Sequence, residues 1–470
     1  MTPLLMTRRH PRPTVVLMLT AILLILNSPA SASGPHHYQH WDPFLDTLQH
    51  RTIKWFLDVM PPTNGLTPDR WPSTSHCSIA AVGFALTVYP IAAERGVISR
   101  KESARRVLLT LRFLLNAPQG PQRDGIAGYR GLFYHFLALK DGTRAWNCEL
   151  STIDTGLLMA GVLFCQSYYP GNSRTEKGIR QTADSLYRRV DWTWSTTGRP
   201  GIMLGWTPEK ESEGESWHGY NEAMILYILA LGSPTHSVAP EVWDYWTSTY
   251  VWATYYGQEF ISFGPLFGHQ FSHCWIDFRG IRDRYMRTKG IDYFENSRRA
   301  TYSQRSYGAE NPLGYKGYSE DVWGITPCDG PGDTTFLVDG KKRTFIGYAG
   351  RGVSFDWALD DGTIAPTGAG SSVAFAPEVS ISCLKAIRMI HGRRIFRKYG
   401  FIDAFNPTFV TNATGPEGWY DRDYLGIDQG PIVLMIENLR NGFVWKVMRK
   451  NPYIRQGLTR AGFTGGWLGD

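Results

Sequence analysis

Two kinds of helical segment alternate along this chain, and that alternation constrains its fold more than any other feature. Residues 78–95 and 151–169 are almost wholly apolar, and 221–231 joins them before Gly232 and Pro234 stop it. A helix without a polar stripe must be covered on every side. Around these lie amphipathic segments at 42–60, 99–116 and 175–191, with Ser99 and Glu102 forming a capping box. Two concentric rings of helices require such a pattern, because the inner ring is covered on both faces while the outer ring keeps a wet side. Further helices are expected at 240–253, 276–288, 295–307, 377–398 and 431–441, about eleven or twelve in all. The expected fold is all-α, an (α/α)6 toroid of six helical hairpins with long loops and short β-hairpins. Turn signals for hairpins stand at Lys140-Asp141-Gly142, Asp339-Gly340 and Asp361-Gly362. An open solenoid satisfies the same periodicity, although no fixed-length repeat accompanies it.

Residues 1–32 carry the marks of a secretory signal. Arg8, Arg9 and Arg12 precede an apolar run at 15–26 that is short for a bilayer span, and Ala30-Ser31-Ala32 offers a cleavage site. A periplasmic or secreted protein is expected, with 33–470 as one domain. No later segment has about eighteen uninterrupted apolar residues, so no stable membrane insertion is expected after cleavage. The formal charge is +7, and Arg8, Arg9 and Arg12 account for three of the positive groups. The remaining basic residues are scattered, which argues against a nucleic-acid partner. The six cysteines are widely spaced and show no zinc spacing; disulfides and small buried thiols are both open readings. No Walker A loop, dinucleotide fingerprint or G-x-S-x-G elbow is present, so nucleotide-dependent and serine-hydrolase chemistry lack support.

Seventeen Trp, 24 Tyr and 23 Phe are a heavy aromatic load. Such rings either fill a large core or stack on sugar rings. The sharpest cluster is Glu213 to Glu222, where three acids, Trp217 and Tyr220 crowd the start of an apolar helix. Glu222 is either an acid favoured by that helix's N-terminal dipole or a proton donor. Asp154 enters an apolar helix three residues after Ser151, as a capping partner or as a group facing a cavity, and Glu149 stands beside it. Asp428, ahead of Pro431, is a turn aspartate or a carboxylate held ionised to activate water. His269 and His273 share metal-ligand spacing but lack a third ligand or an H-E-x-x-H context, so polar contacts or structural roles are preferred to zinc. Trp275, Asp277 and Arg279 continue that cluster, as a buried ion pair beside an aromatic or as a sugar-binding group.

Seven ordered blocks resemble the glycoamylase-like family, which includes the endo-β-1,2-glucanases. They begin at Ser78-Ile-Ala-Ala-Val-Gly-Phe, Glu149-Leu-Ser-Thr-Ile-Asp-Thr-Gly, Gly219-Tyr-Asn-Glu-Ala-Met, His269-Gln-Phe-Ser-His-Cys-Trp, Trp323-Gly-Ile-Thr-Pro-Cys-Asp, Phe375-Ala-Pro-Glu and Gly426-Ile-Asp-Gln-Gly-Pro. The resemblance covers almost all of 33–470 and implies a single (α/α)6 catalytic domain. It implies Glu222 as general acid and Asp428 as general base, with Glu149 and Asp154 in the same cleft. It also brings Trp323 and Asp329 into the set of substrate contacts with Trp217, Tyr220, His269, His273, Trp275, Asp277 and Arg279.

The reading is an exported glycoside hydrolase that cuts a bacterial β-glucan, most readily an endo-acting β-1,2-glucanase working with inversion. Neither metal nor cofactor is expected, the partner is an oligo- or polysaccharide, and the protein is expected to be a monomer. Rival readings are a glucan transglycosylase on the same site, a non-catalytic periplasmic glucan-binding protein and a polysaccharide lyase.

Overall fold

Serines and aspartates open the helices by the same local device. Asp42 accepts from the Phe44 N–H ahead of α1 (Pro43–Asp58) at 2.9 Å. Ser78, Ser99, Ser151 and Ser173 each accept from the N–H three residues on, ahead of α2 (Ile79–Glu94), α3 (Arg100–Asn116), α4 (Thr152–Tyr168) and α5 (Arg174–Arg189). The computed structural model describes residues 41–210 and 213–469, and side chains from 215 onward in the second stretch. The expected signal at 1–32 lies outside the described residues. The chain continues with α6 (Met224–Gly232), α7 (Glu241–Ser248), α8 (Phe271–Trp275), α9 (Arg284–Lys289) and α10 (Tyr293–Glu310). The last helices are α11 (Pro366–Gly370), α12 (Pro377–His391), α13 (Gly426–Asn441), α14 (Phe443–Met448) and α15 (Pro452–Arg460).

The apolar helices are neighbours of one another. α2 packs on α4, α4 on α6, α6 on α8, and α13 packs on both α11 and α2. Gln270, just before α8, reaches α11 by donating to the Gly368 carbonyl at 2.8 Å. The amphipathic helices lie against this series: α1 on α2 and α13, α3 on α2, α5 on α4, α15 on α6 and α12 on α11. Their polar faces remain outside, as the periodicity requires.

Glycine permits the closest approaches. A Cβ on Gly161 of α4 would stand 2.1 Å from the Gly83 carbonyl oxygen of α2, and one on Gly83 would stand 2.3 Å from the Leu157 carbonyl oxygen. The contact between α6 and α15 uses the same device, with a Cβ on Gly457 falling 2.1 Å from the Ile228 carbonyl oxygen. Side chains larger than hydrogen would force these backbones apart.

Short antiparallel strands fasten the helix N-termini. Arg70–Trp71 pairs with Tyr424–Leu425 ahead of α13, and Cys77–Ser78 pairs with Phe136–Leu137 ahead of α2. A five-stranded sheet runs in the order Gly128–Tyr129, Leu132–Tyr134, Leu150–Ser151, Met203–Trp206, Glu213–Ser216. Its central strand leads directly into α4. The sheet makes "all-α" an approximation for a helix-rich fold.

Several expected elements differ. The helix expected at 276–288 is replaced by α8 and α9 on either side of a loop. Asp283 sets the later start, accepting from the Met286 N–H at 2.8 Å and from Trp243 and Tyr293. The segment 240–253 stops early because Trp252–Tyr255 pairs with Gln258–Ile261. α12 ends at His391, where Gly392 turns to φ +56°. α13 begins at Gly426 rather than at Pro431, since the Gly426 N–H donates to the Asp69 carbonyl at 2.7 Å and turns the chain into a helix there. The Asp339-Gly340 hairpin forms between Thr334–Val338 and Lys341–Phe345. The Lys140-Asp141-Gly142 turn also forms, with Leu137 bridging Arg144 antiparallel across it while Phe136–Leu137 pairs with Cys77–Ser78 on its other edge; Asp361 is instead buried against Arg351. All six cysteines are free, five of them buried. No helix among the described residues is long and apolar enough to cross a membrane.

Candidate active site

The starts of α2, α4 and α13 are joined through backbone hydrogen bonds. Ile79 N–H donates to His135 O at 3.2 Å, His135 N–H donates to Glu149 O at 3.0 Å, and Gly426 N–H donates to Asp69 O. Two groups of acids meet at this end of the helices, where the N-terminal dipoles favour negative charge.

The first group surrounds His135. Its Nδ1 lies 2.8 Å from Glu149 Oε1 and 3.8 Å from Asp154 Oδ2. Burial alone would lower this imidazole, but Asp154 and Glu149 outweigh it and raise it to about 9. It is therefore a cation at neutral pH and donates to Glu149. Glu149 is half exposed, and although burial opposes its charge, the bond from His135 holds its carboxyl low. Asp154 is buried and is pushed up by loss of water, with His135 and Ser151 pulling the other way. Ser151 both caps the helix through the Asp154 N–H and donates to the Asp154 carboxylate. His135, Glu149 and Asp154 could together offer a metal three ligand atoms, although a protonated imidazole is a poor ligand.

Glu222 stands in the turn just before α6, not within the helix. Its backbone carbonyl accepts from Ser272 Oγ at 3.1 Å, which fixes the turn against α8. The carboxyl is buried and its Oε2 has no hydrogen-bond partner. Burial pushes Glu222 up to about 7, and the charge of Asp154 adds to this. A carboxyl group so placed carries a proton near neutrality, as a general acid must.

Asp428 occupies the first turn of α13 and is buried. Loss of water, together with the charges of Asp329 and Asp69, pushes it up to about 7, while Asp403 and Arg70 act in the opposite sense. Arg70 comes from the strand paired beside α13. It donates from Nη1 to Asp329 Oδ2 at 2.6 Å and from Nε to Asp69 Oδ2 at 3.0 Å. Asp403 and Asp421 complete the second group.

Among the expected sugar contacts, Asp329 and Trp217 lie beside these groups. Trp217 is half buried and donates from Nε1 to Thr152 Oγ1, the first residue of α4, at 3.0 Å. The others are packing residues. Tyr220 is buried parallel to Tyr293, with centroids 6.0 Å apart. His269 donates to the Phe263 carbonyl and burial holds it down at about 4, while His273 bonds Ser297 Oγ in the core. Trp275 stacks on Phe84 and donates to Thr87 Oγ1, and Trp323 is enclosed. Asp277 and Arg279 pair with each other beyond the C-terminal end of α8, where Asp277 also takes Arg449. Burial and ring packing place Tyr220, His269, His273, Trp275 and Trp323 in the core, and Asp277 with the exposed Arg279 forms an ion-pair clasp.

Other residues at the site gave little sequence signal. Arg70, Asp69, His135, Asp403 and Asp421 come from loops and short strands without a spaced motif. Trp146 is 66% exposed, and its ring sits 5.3 Å from Phe136, which stacks at 4.0 Å on His135. Tyr348 is 59% exposed, and its phenol lies within electrostatic reach of Asp428, Asp403 and Asp69. Both are aromatic surfaces beside the acids.

Residues 215–452 match the Glycoamylase family profile, described as "putative glucoamylase". A Bacteroides caccae crystal structure under the same description is 31% identical, covering 90% of this chain and all of that one with a TM-score of 0.76. A Chitinophaga pinensis endo-β-1,2-glucanase, solved with sophorotriose and glucose, is 28% identical over 91% of this chain and 99% of its own, with a TM-score of 0.77. A Parabacteroides distasonis exo-β-1,2-glucooligosaccharide sophorohydrolase is 28% identical over 89% of this chain. This chain spans 58% of that relative's length. A helix-rich fold that gathers buried carboxyl groups at one end of its apolar helices is thus accompanied by full-length similarity. The chain belongs to the glycoamylase family.

Proposed function

We propose that this protein is a glycoside hydrolase that cleaves β-1,2-linked glucan internally, exported by the segment 1–32 to the periplasm or beyond and working as a monomer. The observation that carries the reading is Glu222, a buried carboxyl with an unpartnered oxygen and a pKa raised to about 7. The packing series from α2 round through α8 and α11 to α13 supports a closed (α/α)6 toroid with the acids at its mouth. The substrate linkage is supported by the relatives that act on β-1,2-glucans.

Chemically, Glu222 gives its proton to the glycosidic oxygen as the C1–O bond breaks. A water oxygen bonds to C1 from the opposite face and passes its proton to Asp428, inverting the anomeric centre. His135 holds Glu149 and Asp154 in place beside the donor, and Trp146 and Tyr348 offer faces for sugar rings.

Product analysis on β-1,2-, β-1,3-, β-1,4- and α-1,4-glucans, with Glu222→Gln as the control, tests this. Mixed β-1,2-oligosaccharides that disappear in the variant are expected. Release of disaccharide alone would make the enzyme exo-acting, longer or cyclic products would make it a transferase, and no turnover on any polymer would sink the hydrolase reading.

A further inference from the structure

Asp329, Asp403 and Asp421 bring one carboxylate oxygen each to within 4.8 Å of one another. Asp403 and Asp421 are only 2% and 7% exposed. Backbone N–H groups pin one oxygen of each pair: Asp329 N–H donates to Asp403 Oδ2 and Arg422 N–H donates to Asp421 Oδ1, both at 2.7 Å. The remaining oxygens, Asp403 Oδ1 and Asp421 Oδ2, are buried without a hydrogen-bond partner. Buried carboxylate oxygens are normally satisfied, and leaving two orphaned in one cluster is costly.

Charge balance sharpens the point. Asp69, Asp329, Asp403, Asp421 and Asp428 crowd together, and Arg70 is the guanidinium that pairs with Asp69 and Asp329. A proton shared between Asp403 and Asp428 would satisfy that pair and leave Asp421 Oδ2 bare. A cation at the meeting point of the three carboxylates supplies the positive partner that these acids lack.

We propose that Asp329, Asp403 and Asp421 form a binding site for a hard divalent cation of the calcium class. The donors are all carboxylate oxygens, with neither imidazole nor thiolate among them, which selects calcium or magnesium over zinc or copper. Anchoring of the outer oxygens by backbone N–H groups orients the free ones, as supporting shells do in metal sites. The role of such an ion is to fix the loops carrying Asp403 and Asp421 against α13. The site adjoins Asp428, and its ion binding can be tested without substrate.

The full chain, stripped with EDTA and dialysed, is titrated with Ca2+ and separately with Mg2+ by calorimetry, with metal content read by mass spectrometry. One ion per chain and a rise in Tm of about 3 °C at saturating ion are expected. Asp421→Asn should abolish both signals and His135→Gln should keep them. If neither ion binds the wild-type chain, the proposal fails whatever the variants do. Binding kept in Asp421→Asn but lost in His135→Gln would move the site to the His135 group and overturn it as well.

Discussion

His135 donates through Nδ1 to Glu149 Oε1 at 2.8 Å, and this contact places a cation between two acids at the start of α4. The histidine is raised from its ordinary value to about 9. Its contribution to stability is therefore full below pH 6.5 and is lost as pH rises toward 9. Replacing it with Gln should flatten that loss, so the Tm gap between wild type and His135→Gln should close over this window. Activity should fall about 10- to 100-fold with the fold retained, as checked by circular dichroism and initial rates.

Glu222 is raised in the same direction but with the opposite charge consequence. Its native proton favours the fold below about pH 4.5, and that advantage is lost as pH climbs through about 7. Glu222→Gln should therefore be more stable than wild type at pH 8, by about 3 kcal/mol at most, and should not be at pH 4. The same ionisation removes the proposed general acid, so kcat should decline above about pH 7 in the wild type. The variant's rate should be lower by about a thousandfold. Urea melts at both pH values, with rate profiles alongside, separate the two effects.

Trp146 projects from the His135 side of the site with two-thirds of its surface exposed. If it is a sugar platform, Trp146→Ala should raise KM about tenfold while kcat stays within about twofold, because stacking binds ground and transition states alike. An unchanged KM would remove it from the substrate path. Its exposure means that stability should hardly move.

Between α2 and α4, a methyl group on Gly161 meets the Gly83 carbonyl oxygen at 2.1 Å. Backbone cannot yield as a flexible side chain can. Gly161→Ala should cost about 3 kcal/mol or abolish folding, measured as the urea midpoint or as loss of soluble protein. Gly96→Ala provides a contrast in cause, because that site has open space around it and only its φ of +68° resists the change.

Much of the helical order was legible because its signals are local. Ser78, Ser99 and Ser151 cap the helices they introduce, and the apolar run of α2 could be nothing but buried. α8 escaped detection because five residues are too few to display a period, and its true neighbours are distant in sequence. Glu222, Asp154, Glu149 and Asp428 stood out through their positions at helix starts. Asp403 and Asp421 did not, since they matter only beside Asp329, whose partner Arg70 lies 259 residues before it. Aromatic content was ambiguous for a simpler reason: Trp275 and Trp146 are the same residue type, and only packing decides that one is core and the other a surface.

Each acid reaches the site from a different junction: Asp154 after Leu150–Ser151, Glu222 after Glu213–Ser216, and Asp428 after Tyr424–Leu425. No single loop owns the chemistry. The loops between these junctions can therefore change in length without moving the acids that the helix starts hold.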